Sequence, residues 1–393
     1  MISADCMSSE NVILFITYTM NNPIVGGAFM RAFRLATEMS RRGWRPIICN
    51  SGPMLADPKI AAAEESIKFI RLVRERPELT VDVAAAEFAA MNPDIIVMGE
   101  GPISPMRLYY DAARRLPQPF IVLDQFYNDR LLPEKAGVDL VLLYALSSFW
   151  RNDLLLRSPY EVTPPFIETV VSKQDLPIPI EWQDVPWLTF VAYDTYVLKK
   201  GLDLLARLAQ PDLVKIVMCR NPAVCLREAG AMGIAMEKFV CLPLQLDPVV
   251  FGFFSASAVS LVSNGFLQIM DCLALGSPVI ALQRSASVGM NELNIDSRFF
   301  AYVSFGESVE RQLERINDWL ESDVFSPSMR MSLTTERHGA VHCANRVEAI
   351  HRRYLWRQSR RLRWARSTKG AWGFLSGSIR GLVRGARRAI RPE

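Results

Sequence analysis

The sequence contains few histidines and none of the short signatures that mark several large enzyme classes. It has 3 histidines among 393 residues, at His338, His342 and His351. No G-x-S-x-G, Walker A or C-x-x-C…C-x-x-C sequence occurs, and no G-x-G-x-x-G follows the first predicted strand. These absences argue against a serine hydrolase, a P-loop NTPase, a zinc ribbon and a dinucleotide-dependent oxidoreductase.

Recognisable metal ligands and disulfide patterns are also scarce. His338 and His342 lie one helical turn apart beside Cys343, but the glutamate of a zinc-protease motif is missing. We therefore expect a solvated helix face there and no metal site. The 7 cysteines form no C-x-x-C pair, and most lie in apolar runs. This usage is typical of reduced, buried thiols in a cytoplasmic protein, and the acidic N-terminal residues do not resemble a signal peptide.

The hydrophobic content is that of a globular protein. Hydrophobic residues make up 50% of the chain and charged residues 22%, which excludes a disordered, collagen-like or coiled-coil chain. The stretch Pro248–Met270 has no charged residue and is long enough to span a bilayer. Because it also carries glycines, serines and Asn264, we expect a buried α/β core there; a membrane segment is the alternative.

Charge is distributed unevenly along the chain. There are 45 Lys and Arg residues against 41 Asp and Glu residues, and residues 345–393 alone hold 14 basic and 2 acidic residues. The body is therefore mildly acidic and the tail strongly basic, so an anionic partner would bind the tail. The acidic body lacks a basic aromatic surface, which argues against nucleic acid as a partner.

Continuous apolar strands alternate with helices in two series. This alternation predicts parallel sheets with both faces covered, and the first series includes a predicted helix over Ile60–Arg76. Prolines are frequent in Thr163–Pro186, which predicts a linker before the second series. We predict an α/β fold with two Rossmann-like, doubly wound domains whose strand ends face a cleft. The predicted segments are 1–162, the linker 163–186, 187–343 and a basic tail 344–393.

The strongest local signal is Val262–Ile280, whose pattern predicts a strand, a tight turn, a helix, a glycine stop and a second strand. Asn264 and Gly265 open the helix, so its free amides and positive dipole end would bind an anion such as a diphosphate. Asp271 lies nearly two turns further on and could accept hydrogen bonds from a ribose diol. An ordinary strand–helix–strand unit without a ligand is the alternative.

This segment resembles the nucleotide-binding core of GT-B glycosyltransferases, and most closely the inverting group that includes the peptidoglycan N-acetylglucosaminyltransferase and UDP-sugar transferases. Their Gly-Gly-x-x-Thr-x-x-Glu…Gly-x-Pro pattern keeps its spacing here, with Asn264, Gln268 and Asp271 in place of Gly, Thr and Glu. The paired glutamates of retaining GT-B enzymes are absent, because Ser263 stands at the first position. Lys199-Lys200-Gly201 is similar to the turn with which retaining enzymes contact phosphate.

The resemblance implies a donor site and an acceptor site. Gln283, Asn291 and Glu292 fall in or beside a loop that contacts the donor sugar in this family; a polar loop and helix cap is the alternative. Gly26 and Gly27 stand where the family has a Gly-Gly-His loop facing the acceptor; a plain glycine-rich turn is the alternative. The implied donor-binding residues are Asn264, Gly265, Gln268, Asp271, Gln283, Asn291 and Glu292.

The general base is not given by the resemblance, because Ala28 replaces the histidine of the family loop. Inversion requires a group that takes the proton of the acceptor hydroxyl. Glu100 and Asp124 each follow a predicted strand of the first domain, so they are the candidate catalytic residues. A structural cap is the alternative for each carboxylate.

The implied reaction transfers a sugar from a nucleotide-sugar donor to a hydroxyl of a glycan or lipid-linked acceptor, with inversion. The resemblance assigns the acceptor to 1–162 and the donor to 187–343. No metal or cofactor is expected, because helix-terminal amides can stabilise the leaving diphosphate. Ala28 and Asn264 also fit a catalytically degenerate protein of the same fold that binds a sugar or nucleotide, which is the alternative function.

The tail has the pattern of a segment that binds a membrane surface. Trp356, Trp364 and Trp372 are interspersed with basic residues, and apolar residues after Trp372 recur at helical spacing. We expect a basic amphipathic helix that forms on anionic lipid, so that the protein is cytoplasmic with a peripheral location on the inner face of the cell membrane. A disordered, solubilising tail is the alternative.

Overall fold

The fold is described from a computed structural model of the whole chain. The described residues are 11–18, 27–52, 58–72, 79–99, 107–116, 119–124, 138–143, 160–162, 166–167, 170–192, 195–208, 210, 212–245, 247–263, 266–283, 300–304, 308–321 and 340–356. They belong to two compact units, Met1–Ala344 and Asn345–Glu393. The first unit contains both predicted sheets.

The first sheet is fully parallel, and its strand order matches a doubly wound fold. Its seven strands are β1 (Val12–Tyr18), β2 (Arg45–Ser51), β3 (Lys68–Arg71), β4 (Ile95–Gly99), β5 (Phe120–Asp124), β6 (Leu140–Leu143) and β7 (Tyr160–Val162). The order across the sheet is β3-β2-β1-β4-β5-β6-β7, so the direction of winding reverses between β1 and β4. Every residue of β1, β4 and β5 is buried, which explains their continuous apolar sequences.

In the described part of the chain, four helices connect strands of the first sheet. They are α1 (Gly27–Arg41), α2 (Pro58–Ala62), α3 (Val81–Ala90) and α4 (Arg107–Arg115). After α1 the chain turns at Gly43, whose φ of +82° is left-handed and favours glycine. Thr80 begins α3 as its N-cap, because its hydroxyl accepts a hydrogen bond from the Val83 amide.

The predicted helix over Ile60–Arg76 is wrong. The helix stops at Ala62, and Lys68–Arg71 instead forms β3, which pairs in parallel with Ile47–Asn50 of β2. Helix-forming residues dominate this stretch, so local propensity favoured a helix. The unpaired edge of β2 offers backbone hydrogen bonds that the isolated sequence does not reveal, and tertiary pairing overrides the local preference.

The second sheet is also parallel and has the six-stranded order of a Rossmann fold. Its strands are β8 (Trp187–Ala192), β9 (Val214–Cys219), β10 (Phe239–Pro243), β11 (Val259–Ser263), β12 (Val279–Gln283) and β13 (Phe300–Ser304). The order β10-β9-β8-β11-β12-β13 reverses between β8 and β11. The predicted fold class, two Rossmann-like parallel-sheet domains, is confirmed.

Helices connect and follow these strands. They are α5 (Thr195–Arg207), α6 (Pro222–Ala231), α7 (Asp247–Ala256), α8 (Phe266–Ala274), α9 (Val309–Glu321) and α10 (residues 340–356). Lys215 of β9 donates from Nζ to the carbonyl oxygens of Leu205 and Leu208, at distances of 2.8 and 3.3 Å, and so caps the end of α5.

Lys199-Lys200-Gly201 lies inside α5 and does not form a turn like that of the retaining enzymes. A Cβ at Gly201 would lie 2.2 Å from two ring carbons of Phe190 on β8, so the glycine permits close packing of the helix on the sheet. The segment is therefore explained by packing, and the similarity to a phosphate-contacting turn does not extend to its structure.

The predicted linker is folded against the second domain where it is described. Ile167, Leu176 and Ile178 are buried in the core that also contains Trp187 and Phe253. The Val171 amide donates to the carbonyl oxygen of Pro248 at 3.0 Å, which fixes the segment to the start of α7. The segment contains two short 3₁₀ turns, Lys173–Asp175 and Ile180–Trp182, which provide hydrogen bonds for some of its backbone groups.

The uncharged stretch Pro248–Met270 forms core structure. It contributes to α7, β11 and α8, and Phe251, Phe253 and Leu261 are almost completely buried. Within the described part of the chain, no helix has the length and apolar character needed to cross a membrane.

Candidate functional site

The helices at the two reversal points of strand order carry several polar and charged residues of the candidate site. In the first sheet α1 follows β1, and in the second sheet α8 follows β11. Ligands of doubly wound sheets bind beside such points, at the carboxyl ends of the strands. Arg31 and Arg34 lie one turn apart on α1, and Gln268 and Asp271 lie one turn apart on α8.

Arg31 is buried and pairs with a carboxylate predicted to be catalytic. Its Nε lies 2.7 Å from Oδ1 and 2.5 Å from Oδ2 of Asp124, the last residue of β5. The exposed fractions of the two side chains are 5% and 6%. The guanidinium also lies over the Phe166 ring, 3.9 Å from its centroid, and Nη2 lies 3.9 Å from Cys343 Sγ. Aromatic and sulfur groups thus enclose the charged pair.

Arg34 connects the first domain to elements of the second. Its Nη1 donates to the carbonyl oxygen of Phe166 at 2.5 Å. Its guanidinium carbon lies 5.2 Å from the ring centroid of Phe251 on α7, within range of a cation–π interaction. The two arginines therefore place positive charge where α1 meets the second domain.

The charges of both arginines affect the pKa of Asp271. Burial raises the pKa of its carboxyl from 3.8 to about 7, and the guanidinium groups of Arg34 and then Arg31 oppose that rise. A carboxyl with a pKa near 7 can exchange a proton at neutral pH. Gln268, on the same face of α8, is 8% exposed.

Burial also raises the pKa of Asp124, although the ion pair and the hydrogen bonds from Arg31 oppose that rise. A general base must present a free lone pair to the acceptor hydroxyl. Since both carboxylate oxygens accept from Arg31, the pair would have to open before Asp124 could take a proton.

The start of α8 and the glycine stop after it lie within the predicted donor segment. The helix begins at Phe266 and ends at Ala274, in agreement with the predicted strand–helix–strand order. Gly276 has a φ of +76°, which only glycine adopts readily, and it ends the helix as predicted. Ser277 is anchored by a 2.8 Å hydrogen bond to the Ser260 hydroxyl of β11.

The other predicted site residues are described in part or not at all. Gly27 is the first residue of α1 and Gln283 the last residue of β12, and nothing is described of the Gln283 side chain. The predicted site residues that lie outside the described part of the chain are Gly26, Glu100, Asn264, Gly265, Asn291 and Glu292.

Sequence reasoning missed the two arginines and their aromatic partners. Arg31 and Arg34 stand three residues apart in a helix whose neighbouring residues are largely buried. Two charges on one buried face are unusual, since buried charges require partners. That spacing was the available signal, but Phe166 and Phe251 could not be assigned to it from sequence.

The fold of this chain is similar to that of several solved structures. The calicheamicin glycosyltransferase CalG4 is 13% identical, with a TM-score of 0.58 over 87% of this chain and 98% of that one. A UDP-N-acetylglucosamine 2-epimerase is 14% identical, with a TM-score of 0.59 over 86% and 94%. The S. aureus MnaA–UDP co-structure is 13% identical, with a TM-score of 0.60 over 88% and 97%.

These similarities establish the GT-B fold, as expected from the resemblance of the α8 segment. No protein-family model and no curated protein sequence matches the chain. The neighbours include both a glycosyltransferase and an epimerase of a UDP-sugar.

Proposed function

We propose that this protein is a glycosyltransferase that uses a nucleotide-sugar, with UDP as the nucleotide. One observation carries the proposal: α8 begins at the reversal point of the second sheet and carries Asp271, whose raised pKa is opposed by the charges of Arg34 and Arg31 on α1. A nucleotide bound at the start of α8 would reach both domains. Two solved structures of this fold support this choice of nucleotide: one is an epimerase named for a UDP-sugar, and the other contains UDP.

The diphosphate would lie at the N-terminal end of α8. Free amides and the positive end of the helix dipole stabilise negative charge there. We infer that Arg34 adds positive charge beside the leaving diphosphate, so that the transfer requires no metal. Asp271 would accept hydrogen bonds from the ribose, and the loop containing Asn291 and Glu292 would contact the sugar.

The acceptor would bind at the carboxyl end of the first sheet, near Gly26 and Gly27. Glu100 and Asp124 remain the proposed bases for an inverting displacement. Of the two, Glu100 is the better candidate on chemical grounds, because Asp124 is held in the ion pair with Arg31. A glycan or lipid-linked acceptor in cell-surface synthesis fits the proposed membrane-binding tail.

The test is turnover of a pool of UDP-sugars by the full chain, followed by mass spectrometry of the products, together with UDP binding by calorimetry. Asp271→Ala should weaken UDP binding by about 1.5–3 kcal/mol, the value of a hydrogen bond to a charged group. Asp203→Ala is the matched control, because Asp203 lies on α5 and contacts the surface residue Arg207.

Equal UDP affinity in folded Asp271→Ala would contradict the donor site. Glu100→Gln and Asp124→Asn, compared in the same turnover assay, separate the two candidate bases, and near-full rates in both would exclude them.

A catalytically degenerate nucleotide-binding protein is the second candidate. Two observations favour it: Ala28 stands in place of the family histidine, and Asp124 is engaged by Arg31. UDP binding without transfer of any sugar supports this candidate, whereas a changed sugar on an intact UDP-sugar indicates epimerisation.

A further inference from the structure

Three cysteines that are distant in sequence converge on one face of the second sheet. Cys219 is the last residue of β9, Cys225 lies on α6 and Cys241 lies on β10. Their sulfur atoms all lie within 4.8 Å of one another. The sequence shows no recognised metal motif, because five and fifteen residues separate the three cysteines.

The strand register explains why the thiols meet. Cys241 pairs with Val217 of β9, and Cys219 follows Val217 by two residues. Side chains two residues apart on a strand share a face, and so do paired residues of parallel neighbours. Helix α6 packs on β9 and β10 and carries Cys225 to the same side.

The spacing of the sulfur atoms matches that of a metal–thiolate site. Cys219 Sγ and Cys241 Sγ are 3.7 Å apart. With Zn–S bonds of about 2.3 Å, two sulfur ligands lie ~3.8 Å apart in tetrahedral geometry and ~4.0 Å apart in trigonal geometry. An ion can therefore be accommodated with small side-chain adjustments.

The surroundings also suit a bound thiolate. Cys219 and Cys225 are buried among apolar residues, whereas Cys241 is partly exposed and provides a path for an ion and a solvent ligand.

We propose that Cys219, Cys225 and Cys241 bind one thiophilic metal ion, either Zn²⁺ with a solvent molecule as fourth ligand or Cu⁺ in trigonal coordination. Soft thiolate ligands select these ions over Mg²⁺ or Ca²⁺. The site lies on β9 and β10, on the opposite side of β8 from α8, and is therefore separate from the proposed nucleotide site. Its role would be structural, because the ion joins two strands and a helix.

The experiment uses the full chain, purified with reduced thiols and stripped by a chelator. Zn²⁺ and Cu⁺ are added in separate arms, free metal is removed, and bound metal is measured by mass spectrometry. We expect about one ion per chain in at least one arm and a higher melting temperature, because an ion that binds the folded state stabilises it. Co²⁺ in a third arm should show thiolate-to-cobalt absorption.

Cys225→Ser should weaken binding at least about tenfold, since it removes one of three ligands. Cys49→Ser is the matched control, because Cys49 is a buried strand cysteine of the first sheet. If Cys225→Ser does not fold, Cys241→Ser tests the same loss of a ligand at a partly exposed position. The proposal is overturned if reduced protein retains neither ion, or if Cys225→Ser and Cys241→Ser bind metal as tightly as the parent. It is also overturned if the protein binds no metal and its mass is lower by two hydrogens because Cys219 and Cys241 form a disulfide.

Discussion

The Arg31–Asp124 pair is the most deeply buried charge interaction described at the candidate site. Removing two charges from water is costly, and their mutual attraction offsets that cost only while both are present. Loss of one partner leaves an uncompensated charge beside the Phe166 ring. The pair therefore has a large effect on stability when broken, whatever part Asp124 takes in catalysis.

We predict that Asp124→Asn lowers the free energy of unfolding by about 3–5 kcal/mol. Replacing both residues, as Arg31→Met with Asp124→Leu, should cost less than the sum of the single changes. Asp82→Asn is the control, because its pair with Arg115 is exposed and should contribute less than about 1 kcal/mol. Chemical denaturation measures the parent, each single variant, the double variant and the control, and strictly additive losses from Arg31→Met and Asp124→Leu would show that the pair is not coupled.

Asp271 should make stability depend on pH in the direction opposite to that of most carboxylates. Its pKa is raised from 3.8 to about 7, so between these values the folded state holds a proton that the unfolded state has released. Stability from this group is therefore complete below 3.8 and decreases as pH rises toward 7.

Asp271→Asn is expected to flatten this decrease, because the amide does not titrate. Thermal unfolding across the range from 3.8 to about 7 measures the effect as the difference between variant and parent. Asp203→Asn should keep the slope of the parent. An identical slope in Asp271→Asn and the parent would mean that the folded protein does not raise the pKa of Asp271.

At the scale of elements, close approach of α5 to β8 depends on a single missing side chain. Gly201→Ala should destabilise the protein by about 1–3 kcal/mol, because the new methyl group overlaps the buried Phe190 ring. Gly230→Ala on α6 is the matched control. It has open space around it and should stabilise by about 0.5–1 kcal/mol through the helix preference of alanine. The denaturant midpoints of the two variants and the parent measure these effects. A Gly201→Ala variant as stable as the parent would contradict the close packing of α5 on β8.

Local sequence predicted some of these strands and segments but not others. Strands β1, β4 and β5 are apolar except for Thr17 in β1 and Asp124 at the end of β5, so they were predictable from composition alone. The strand β3 has partly exposed residues and a helix-like sequence, so its identity depends on pairing with β2. The linker likewise appeared unstructured from its prolines, yet Leu176 and Ile178 pack into the second core.

At the scale of the whole molecule, the tail remains the proposed membrane contact. The described part of α10 reaches Trp356, and Leu355 and Trp356 there are 50% and 55% exposed. The proposed amphipathic segment around Trp364 and Trp372 lies outside the described residues.

We predict that a chain ending at Trp356 loses most binding to phosphatidylglycerol vesicles, because 11 of the 14 basic residues of 345–393 follow it. Each basic residue near an anionic surface contributes about 1 kcal/mol, and salt screens the attraction. Co-sedimentation at low and high salt measures the loss, with phosphatidylcholine vesicles as the neutral control. Equal pelleting of the shortened and full chains would refute membrane binding by the tail.

The sequence by itself determined the two-sheet architecture and the order around α8, including the stop at Gly276. These features depend on apolar runs and turn residues that act over a few positions. Only the tertiary structure decided which side chains meet. Arg31 and Asp124 are 93 residues apart, and the three thiols come from two strands and a helix. Strand order and register, not local spacing, bring such groups together, because each strand end faces its neighbours in the sheet rather than its neighbours in the chain.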